Sequence, residues 1–490
     1  MKIMKHQRSI AILLTMLTIF TVSCGAPQKD TAHFSNTQTK SAAKNSSASS
    51  QIQDFHNFAQ THDTFTTTLI QKRNDDSAIP APPEELFDLV HYPSKVGDLA
   101  AYISCDPKDG QKHPIIIWIV GGWGNRIDDF PWVYPEWEND QTGSAFWQSG
   151  LLTMYPSFRG GNGNPGYFET LFGEIDDVVS AYEYAASLPY VDPDRIYLGG
   201  HSTGGTRALL ASEYTDKFRA VFCFGAVDEI KYHNNTQFTF DKSNENEHIM
   251  RSPIYWLDNI KTPTFLIEGS DGNSENLERM LQASQNDNIH GFVIEDADHF
   301  SVLAPLTKLF AQKILTDTGE EPNISVTQEE LDEAMKQEPS IPIPVMTSHR
   351  IEELGLTFSC PYLWEIAPDE EDDSLLIAYS RYEEDNPWDM SVLYISTYTP
   401  EEDSYLHGLA TYLNQEGFDA KEIAINGHPA IDASTILPNN DGENFYQRYV
   451  ALQNDSLCVD FTFLVHESFL EEADALFQTV IDSISFDRSE

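Results

Sequence analysis

The feature that most constrains the fold is a rhythm: between residues 99 and 315, short apolar runs alternate with amphipathic helical stretches. The runs are 99–104, 114–120, 151–155, 195–198, 220–224, 264–267 and 291–294, and the helical stretches are 176–188, 206–214, 275–283 and 304–315. A strand that is apolar on both faces has to be covered on both, and strands separated by helices run parallel. The pattern predicts an α/β domain over residues 66–318, built on a doubly wound, mostly parallel sheet. From Ser348 the rhythm changes. Runs at 356–360, 375–381, 391–397, 430–434, 446–453 and 458–465 follow one another with helices only at 401–415 and 469–481. This predicts a smaller α+β domain with an antiparallel sheet over residues 346–490. Residues 319–345 between the two are acidic and carry Pro339, Pro342 and Pro344, a linker with one short helix at 329–336.

Charge sets the chemistry that is excluded. The 490 residues carry 77 acidic and 30 basic side chains, a net charge of −47, yet 40% are apolar. That apolar content belongs to packed domains and not to acidic disordered tails. The field opposes nucleic acid as a partner, and no basic patch is available for anionic lipid. The acidic run 369–373 has no calcium-loop spacing and reads as a solvated turn.

Lys2, Lys5 and Arg8 precede an uncharged stretch over 10–22, followed by Ser23 and Cys24. This is the layout of a secretory leader, too short to span a bilayer. Thr21-Val22-Ser23-Cys24 resembles the lipobox of bacterial lipoproteins, whose cysteine carries the lipid. The resemblance implies a signal peptide over 1–23 and an exported, envelope-bound protein whose membrane attachment is the lipid on Cys24. An ordinary leader with a cysteine nearby is the plainer alternative. Residues 24–65 are expected to be a flexible tether. Of the other cysteines, Cys105 and Cys223 fall in apolar strand-like runs, Cys360 and Cys458 could pair, and no C-x-x-C spacing suggests zinc.

The chemistry is carried by Gly200-His201-Ser202-Thr203-Gly204-Gly205, between the run at 195–198 and the helix near Thr206. A serine on a sharp strand-to-helix turn needs small neighbours two before and two after it. Such a turn also sets the serine at the positive end of a helix. A hydroxyl needs an adjacent imidazole to remove its proton. His299, just after the last apolar run, is in the position for that base; His290 precedes the run, and the His201 ring is expected to point away. Asp271 is the expected acid, in the loop after the run at 264–267, with Asp228 and Glu268 as alternatives. The oxyanion would be held by the amide of Thr203 and by one in the turn Gly121-Gly122-Trp123-Gly124, from Gly122 or Trp123. No metal or organic cofactor is called for.

These residues together resemble the α/β-hydrolase fold, and more narrowly the catalytic domain of the prolyl oligopeptidase-like family, over most of residues 86–315. Tyr155-Pro-Ser-Phe-Arg159-Gly-Gly-Asn-Gly163 is similar to the family's arginine-glycine segment, and Val191-Asp-Pro-Asp-Arg195-Ile-Tyr-Leu-Gly-Gly200-His-Ser202 to its approach to the nucleophile. Ser252-Pro253 and Lys261-Thr-Pro263-Thr-Phe-Leu-Ile-Glu-Gly269 resemble the stretch before its acid. The resemblance implies that Ser202 is the nucleophile and His299 the base. Two positions depart from it: Gly272 stands where the acid is usual, and Val120 where histidine often precedes the double glycine. The propeller of the large oligopeptidases has no counterpart here. In the C-terminal region, Leu356-Thr-Phe-Ser-Cys-Pro361-Tyr-Leu-Trp364 and Val480-Ile-Asp-Ser-Ile-Ser-Phe486 resemble the PsbP-like fold, with no catalytic constellation and no identified protein partner.

Two functions follow as expectations. One is a lipid-anchored serine hydrolase acting on a small ester or peptide through an acyl-enzyme. The other is an inactive homologue serving as a cell-surface binding or scaffold protein, an idea that rests on the displaced acid and the added domain. The segment 228–250, polar and aromatic, is a candidate cap over the cleft.

Overall fold

A computed structural model of the chain describes residues 57–132, 139–233, 236–337, 345–362, 364–368, 375–380, 392–398, 405–438, 444–454, 457–467 and 470–486. The leader, Cys24, most of the tether, the linker prolines and the acidic run 369–373 lie outside them. The described residues divide into two compact units.

The first unit holds strands β1 (Phe87–Ser94), β2 (Gly97–Ser104), β3 (His113–Ile119), β4 (Leu152–Pro156), β5 (Val191–His201), β6 (Val221–Phe224), β7 (Thr264–Gly269) and β8 (Ile289–Ile294). Its helices are α1 (Phe58–Thr64), α2 (Ala145–Gln148), α3 (Glu174–Ser187), α4 (Thr203–Tyr214), α5 (Glu245–Ile249), α6 (Ser274–Ala283), α7 (Leu303–Thr316) and α8 (Gln328–Ala334). The sheet order is β1-β2-β4-β3-β5-β6-β7-β8. The β1–β2 and β2–β4 pairings are antiparallel and the remaining five parallel. This is the doubly wound, mostly parallel sheet expected from the alternation, in the α/β-hydrolase arrangement that the resemblance implies. Strand β6 shows why its sequence is apolar throughout. Val221 and Cys223 join the core that includes Leu209 and Ala211 of α4, while Phe222 and Phe224 face Phe310 of α7 at ring distances of 4.6 and 6.2 Å. Strand β1 has no such signal, because only Phe87 and Tyr92 along it are buried.

The unit extends beyond the expected limits at both ends. Residues 57–65, assigned above to the tether, form α1 and its cap: Phe58 is fully buried 4.9 Å from the Trp256 ring, and His62 packs 4.3 Å from Phe172. The apolar spacing of Phe58, His62 and Phe65 is helical, but polar neighbours dilute it. At the other end, Thr327 and Glu330 make a capping box on α8, and Leu331 and Ala334 are buried. The linker therefore begins after α8.

The second unit contains two sheets. β9 (Met346–Ile351), β10 (Leu356–Pro361) and β18 (Ser485–Phe486) form one, in the order β18-β10-β9. The other runs β11-β12-β13-β17-β16-β15-β14, from β11 (Trp364–Pro368), β12 (Leu375–Ser380), β13 (Val392–Tyr398), β14 (Asp419–Ile425), β15 (His428–Pro438), β16 (Asn444–Asn454) and β17 (Leu457–His466). Every pairing is antiparallel. Helix α9 (Tyr405–Gln415) packs Leu406, Leu409 and Leu413 against Ile431 and Tyr449, and α10 (Leu470–Asp482) is the second helix. The edge strand β14 escaped sequence reading because most of its side chains are exposed, so no alternation marks it. Cys360 and Cys458 are both buried free thiols; Cys223 is buried and Cys105 half-buried.

One buried group in the first unit has a testable cost. Glu213 on α4 is buried with no hydrogen-bond partner for either carboxylate oxygen. Burial pushes its carboxyl well above the usual range. A raised acid favours the folded state below its unfolded value, about 4.3, and that stability is lost as the pH rises above it. Glu213→Gln should match the wild type in thermal midpoint near pH 4 and exceed it at pH 8, by roughly 2–4 °C per kcal/mol relieved. Midpoints measured across this range check it.

Candidate active site

Strand β5 ends at His201 and α4 begins at Thr203, so Ser202 is the single residue of the turn. Its φ of 56° and ψ of −120° are backbone angles that a residue with a Cβ rarely takes. The surroundings hold it there. Its amide donates to the Phe224 carbonyl at 2.8 Å, and its carbonyl accepts from the Thr206 amide at 2.9 Å and hydroxyl at 3.1 Å. Gly204 lies flush against the Ile119 carbonyl, where any Cβ would collide. The small residues expected around the serine are thus a packing requirement.

The strand ends bring His299 and a carboxylate together, though not the expected one. His299 Nδ1 lies 2.9 Å from Glu268 Oε2, and Glu268, the penultimate residue of β7, is buried. Its other oxygen accepts from the Gly269 amide at 2.8 Å. Asp271 is exposed and makes neither a hydrogen bond nor an ion pair with His299; only its amide is engaged, by the Ala297 carbonyl at 2.9 Å. Asp228 is taken by Arg279, with contacts of 2.5 and 3.1 Å. The expectation for Asp271 is corrected accordingly, and Gly272 supplies the physical reason. A Cβ at residue 272 would run into Glu268 Oε1. A side chain there and a carboxylate arriving from the strand are mutually exclusive.

His201 lies beside His299. Its ring turns toward His299, with ring centres 4.5 Å apart, and Nε2–H donates to the His299 carbonyl at 3.0 Å. Burial first, and then the neighbouring His299, depress its imidazole to about 3. It is therefore neutral beside His299 across ordinary pH, with Nδ1 left unpartnered. His290 is exposed on β8, its ring tilted at 5.1 Å from that of Phe265.

The turn after β3 stands beside Ser202. Gly122 has φ +90°, and its carbonyl accepts a hydrogen bond from the Thr203 hydroxyl. The Trp123 ring meets Phe238 edge-on at 5.4 Å, so the segment 228–250 does reach this turn. Arg159 of the arginine-glycine segment is buried, forked onto Asp177 at 2.9 Å on both sides and joined to Glu169 at 2.8 Å. It is a structural cation beneath the site.

Residues 138–306 match the prolyl oligopeptidase family. No curated protein matches the chain. Among solved structures, the chain is similar to Porphyromonas gingivalis dipeptidyl peptidase 4, at 19% identity over 46% of this chain and 35% of that one, with a TM-score of 0.38. It is also similar to a Mycobacterium tuberculosis puromycin-hydrolyzing peptidase, at 19% identity over 47% and 39%, TM-score 0.39. A third is Pyrococcus horikoshii acylaminoacyl peptidase, at 18% identity over 50% and 44%, TM-score 0.40. The chain spans less than half the length of each of these. The family match lies within the first unit and takes in Ser202, Glu268 and His299.

If Gly272 is what lets Glu268 reach His299, a single methyl group should disturb the pair. Gly272→Ala should lower kcat/KM for a p-nitrophenyl ester by roughly 10²-fold, the cost of misplacing a catalytic group by about 1 Å. The thermal midpoint should shift little by comparison, and both are measured on one preparation.

Proposed function

We propose that the chain is an exported, lipid-anchored serine hydrolase that cleaves small esters or short peptides with a Ser202–His299–Glu268 triad. The pairing of His299 Nδ1 with buried Glu268 at 2.9 Å is the observation that carries this reading; the Ser202 turn, at φ 56°, follows directly on His201, whose ring lies 4.5 Å from that of His299. Glu268 keeps the proton on Nδ1, so Nε2 is the basic nitrogen. Ser202 Oγ attacks the substrate carbonyl carbon as Nε2 takes its proton. The tetrahedral oxyanion rests on the amide of Thr203 and on one from Gly122 or Trp123. The bond to the leaving group then breaks as His299 returns the proton to it. Water repeats the sequence on the acyl-enzyme and frees Ser202.

The displaced acid is one of the two grounds for an inactive homologue, beside the added domain, and Glu268 offers a counterpart for that acid. Half-buried Trp123, packed on buried Phe238, is the apolar surface that the oxyanion turn offers a substrate. Export and anchoring rest on the leader and on Thr21-Val22-Ser23-Cys24. No helix among the described residues is long and apolar enough to cross a membrane.

A fluorophosphonate probe should label Ser202 and fail to label Ser202→Ala. Glu268→Gln should lose about 10⁴-fold in kcat, while Asp271→Asn stays within about two-fold; the reverse result would return the acid role to Asp271. A panel of p-nitrophenyl esters and proline-containing peptide amides ranks the substrates. Metabolic labelling with an alkyne fatty acid, lost in Cys24→Ala, tests the anchor.

A further inference from the structure

Helix α4 carries a buried cation for which the triad has no use. Arg207, five residues beyond Ser202, is 2% exposed. Removing a guanidinium from water is costly, and direct ion pairs are the usual compensation. Here both hydrogen bonds go to neutral oxygens: Nη2 donates to the Gly124 carbonyl at 3.1 Å and to Asn125 Oδ1 at 2.9 Å. Nε has no partner, and the guanidinium stacks over Phe158 at 5.2 Å. Glu174 and Asp177 favour the charge that burial disfavours, but Glu174 is reached across Asn125, whose Nδ2 donates to Oε1 at 2.8 Å. A well-packed apolar side chain would serve stability as well or better. What Arg207 does that an apolar residue could not is hold two oxygens of the turn after β3.

Both oxygens belong to the far end of the turn that offers the oxyanion amide. Its near end, the Gly122 carbonyl, is held by Thr203. We infer that Arg207 is a positioning residue for the oxyanion turn, fixing its 124–125 end while Thr203 fixes Gly122. This inference rests on the proposed hydrolase function. Both braces project from the helix that begins at the nucleophile, so Ser202 and the amides of residues 122 and 123 are set by one rigid element. From below, the turn is buttressed independently: the Asn125 carbonyl accepts from the Phe158 amide at 2.8 Å and the Ser157 hydroxyl at 2.9 Å. Gly161 abuts the same carbonyl too closely for any Cβ. The arginine-glycine segment thus supports the turn from one side and Arg207 from the other.

The test compares Arg207→Met and Arg207→Lys with the wild type, each at a concentration of active sites titrated by the fluorophosphonate. Per titrated site, Arg207→Met should lose roughly 10²-fold in kcat for a p-nitrophenyl ester, with KM within about two-fold. Its affinity for an aryl trifluoromethyl ketone, which closes onto Ser202 as an oxyanion, should fall by a similar factor. Affinity for the matching secondary alcohol, which forms no oxyanion, should not move. Arg207→Lys, which keeps the charge and one donor, should recover part of both losses. Unchanged kcat and ketone affinity per site would overturn the proposal, as would equal losses for ketone and alcohol. If Arg207→Met fails to fold, Arg207→Lys and Asn125→Ser carry the same comparison. No labelling of the wild-type chain would remove the hydrolase reading and this one with it. Labelling with an unaffected Arg207→Met would remove this one alone.

Discussion

The close approach of β3 and the β5–α4 turn is the constraint on which the site depends. Ile119 at the end of β3 is registered with Gly200 on β5, and Gly204 sits against the Ile119 carbonyl with no space for a Cβ. Parallel pairing brings two strand ends to one edge of the sheet, where ligands bind in open α/β folds. The glycines decide how near those ends come. Because they come so near, the Ser202 turn and the 121–125 turn share a boundary, and a hydroxyl on residue 203 spans it. Backbone strain at Ser202 persists because three hydrogen bonds from β6 and α4 determine it.

The second organising force is electrostatic. With 30 basic residues against 77 acidic ones, a surface mixture of both signs would be expected to use its cations outside. Instead Arg159, Arg207, Arg219, Arg251 and Arg448 are all buried. Arg219 forks onto Asp317 and gathers the Gly319 and Glu321 carbonyls. Arg251 pairs with Glu247 at 2.6 Å and lies over Phe240 at 4.2 Å. Delocalised guanidinium groups suit such sites, since a planar fork can serve several acceptors at once. Carboxylates are buried with them, Asp177, Glu247 and Asp317 among them, so these cations act in the interior as partners of acids and leave the surface balance acidic.

Much of this was legible in the chain itself. Strands apolar on both faces and the serine pentapeptide carry strong local patterns, so β3 through β8 and the sharp turn at Ser202 could be read directly. Strands β1 and β14 could not, because they are half-exposed edges without alternation. The carboxylate that meets His299 was misplaced for a different reason. Loop position is a statement about the chain, whereas the reach of Glu268 depends on a space that Gly272 leaves open, and a missing side chain gives no local signal. Arg207 was silent likewise: nothing in the run Thr206-Arg-Ala-Leu-Leu indicates which face of the helix will meet the turn after β3.

Placing the carboxylate on β7 has a consequence for how such an enzyme can change. A strand within a sheet is pinned by both neighbours, and β7 is hydrogen-bonded to β6 and to β8. With the carboxylate that meets His299 rooted there, the loop that follows need only keep one small residue at 272. Asp271 faces solvent in that loop. In the hydrolase proposed above, this arrangement separates the apparatus of bond cleavage from part of the rim, and the rim can drift in length and charge while the chemistry stays where it is.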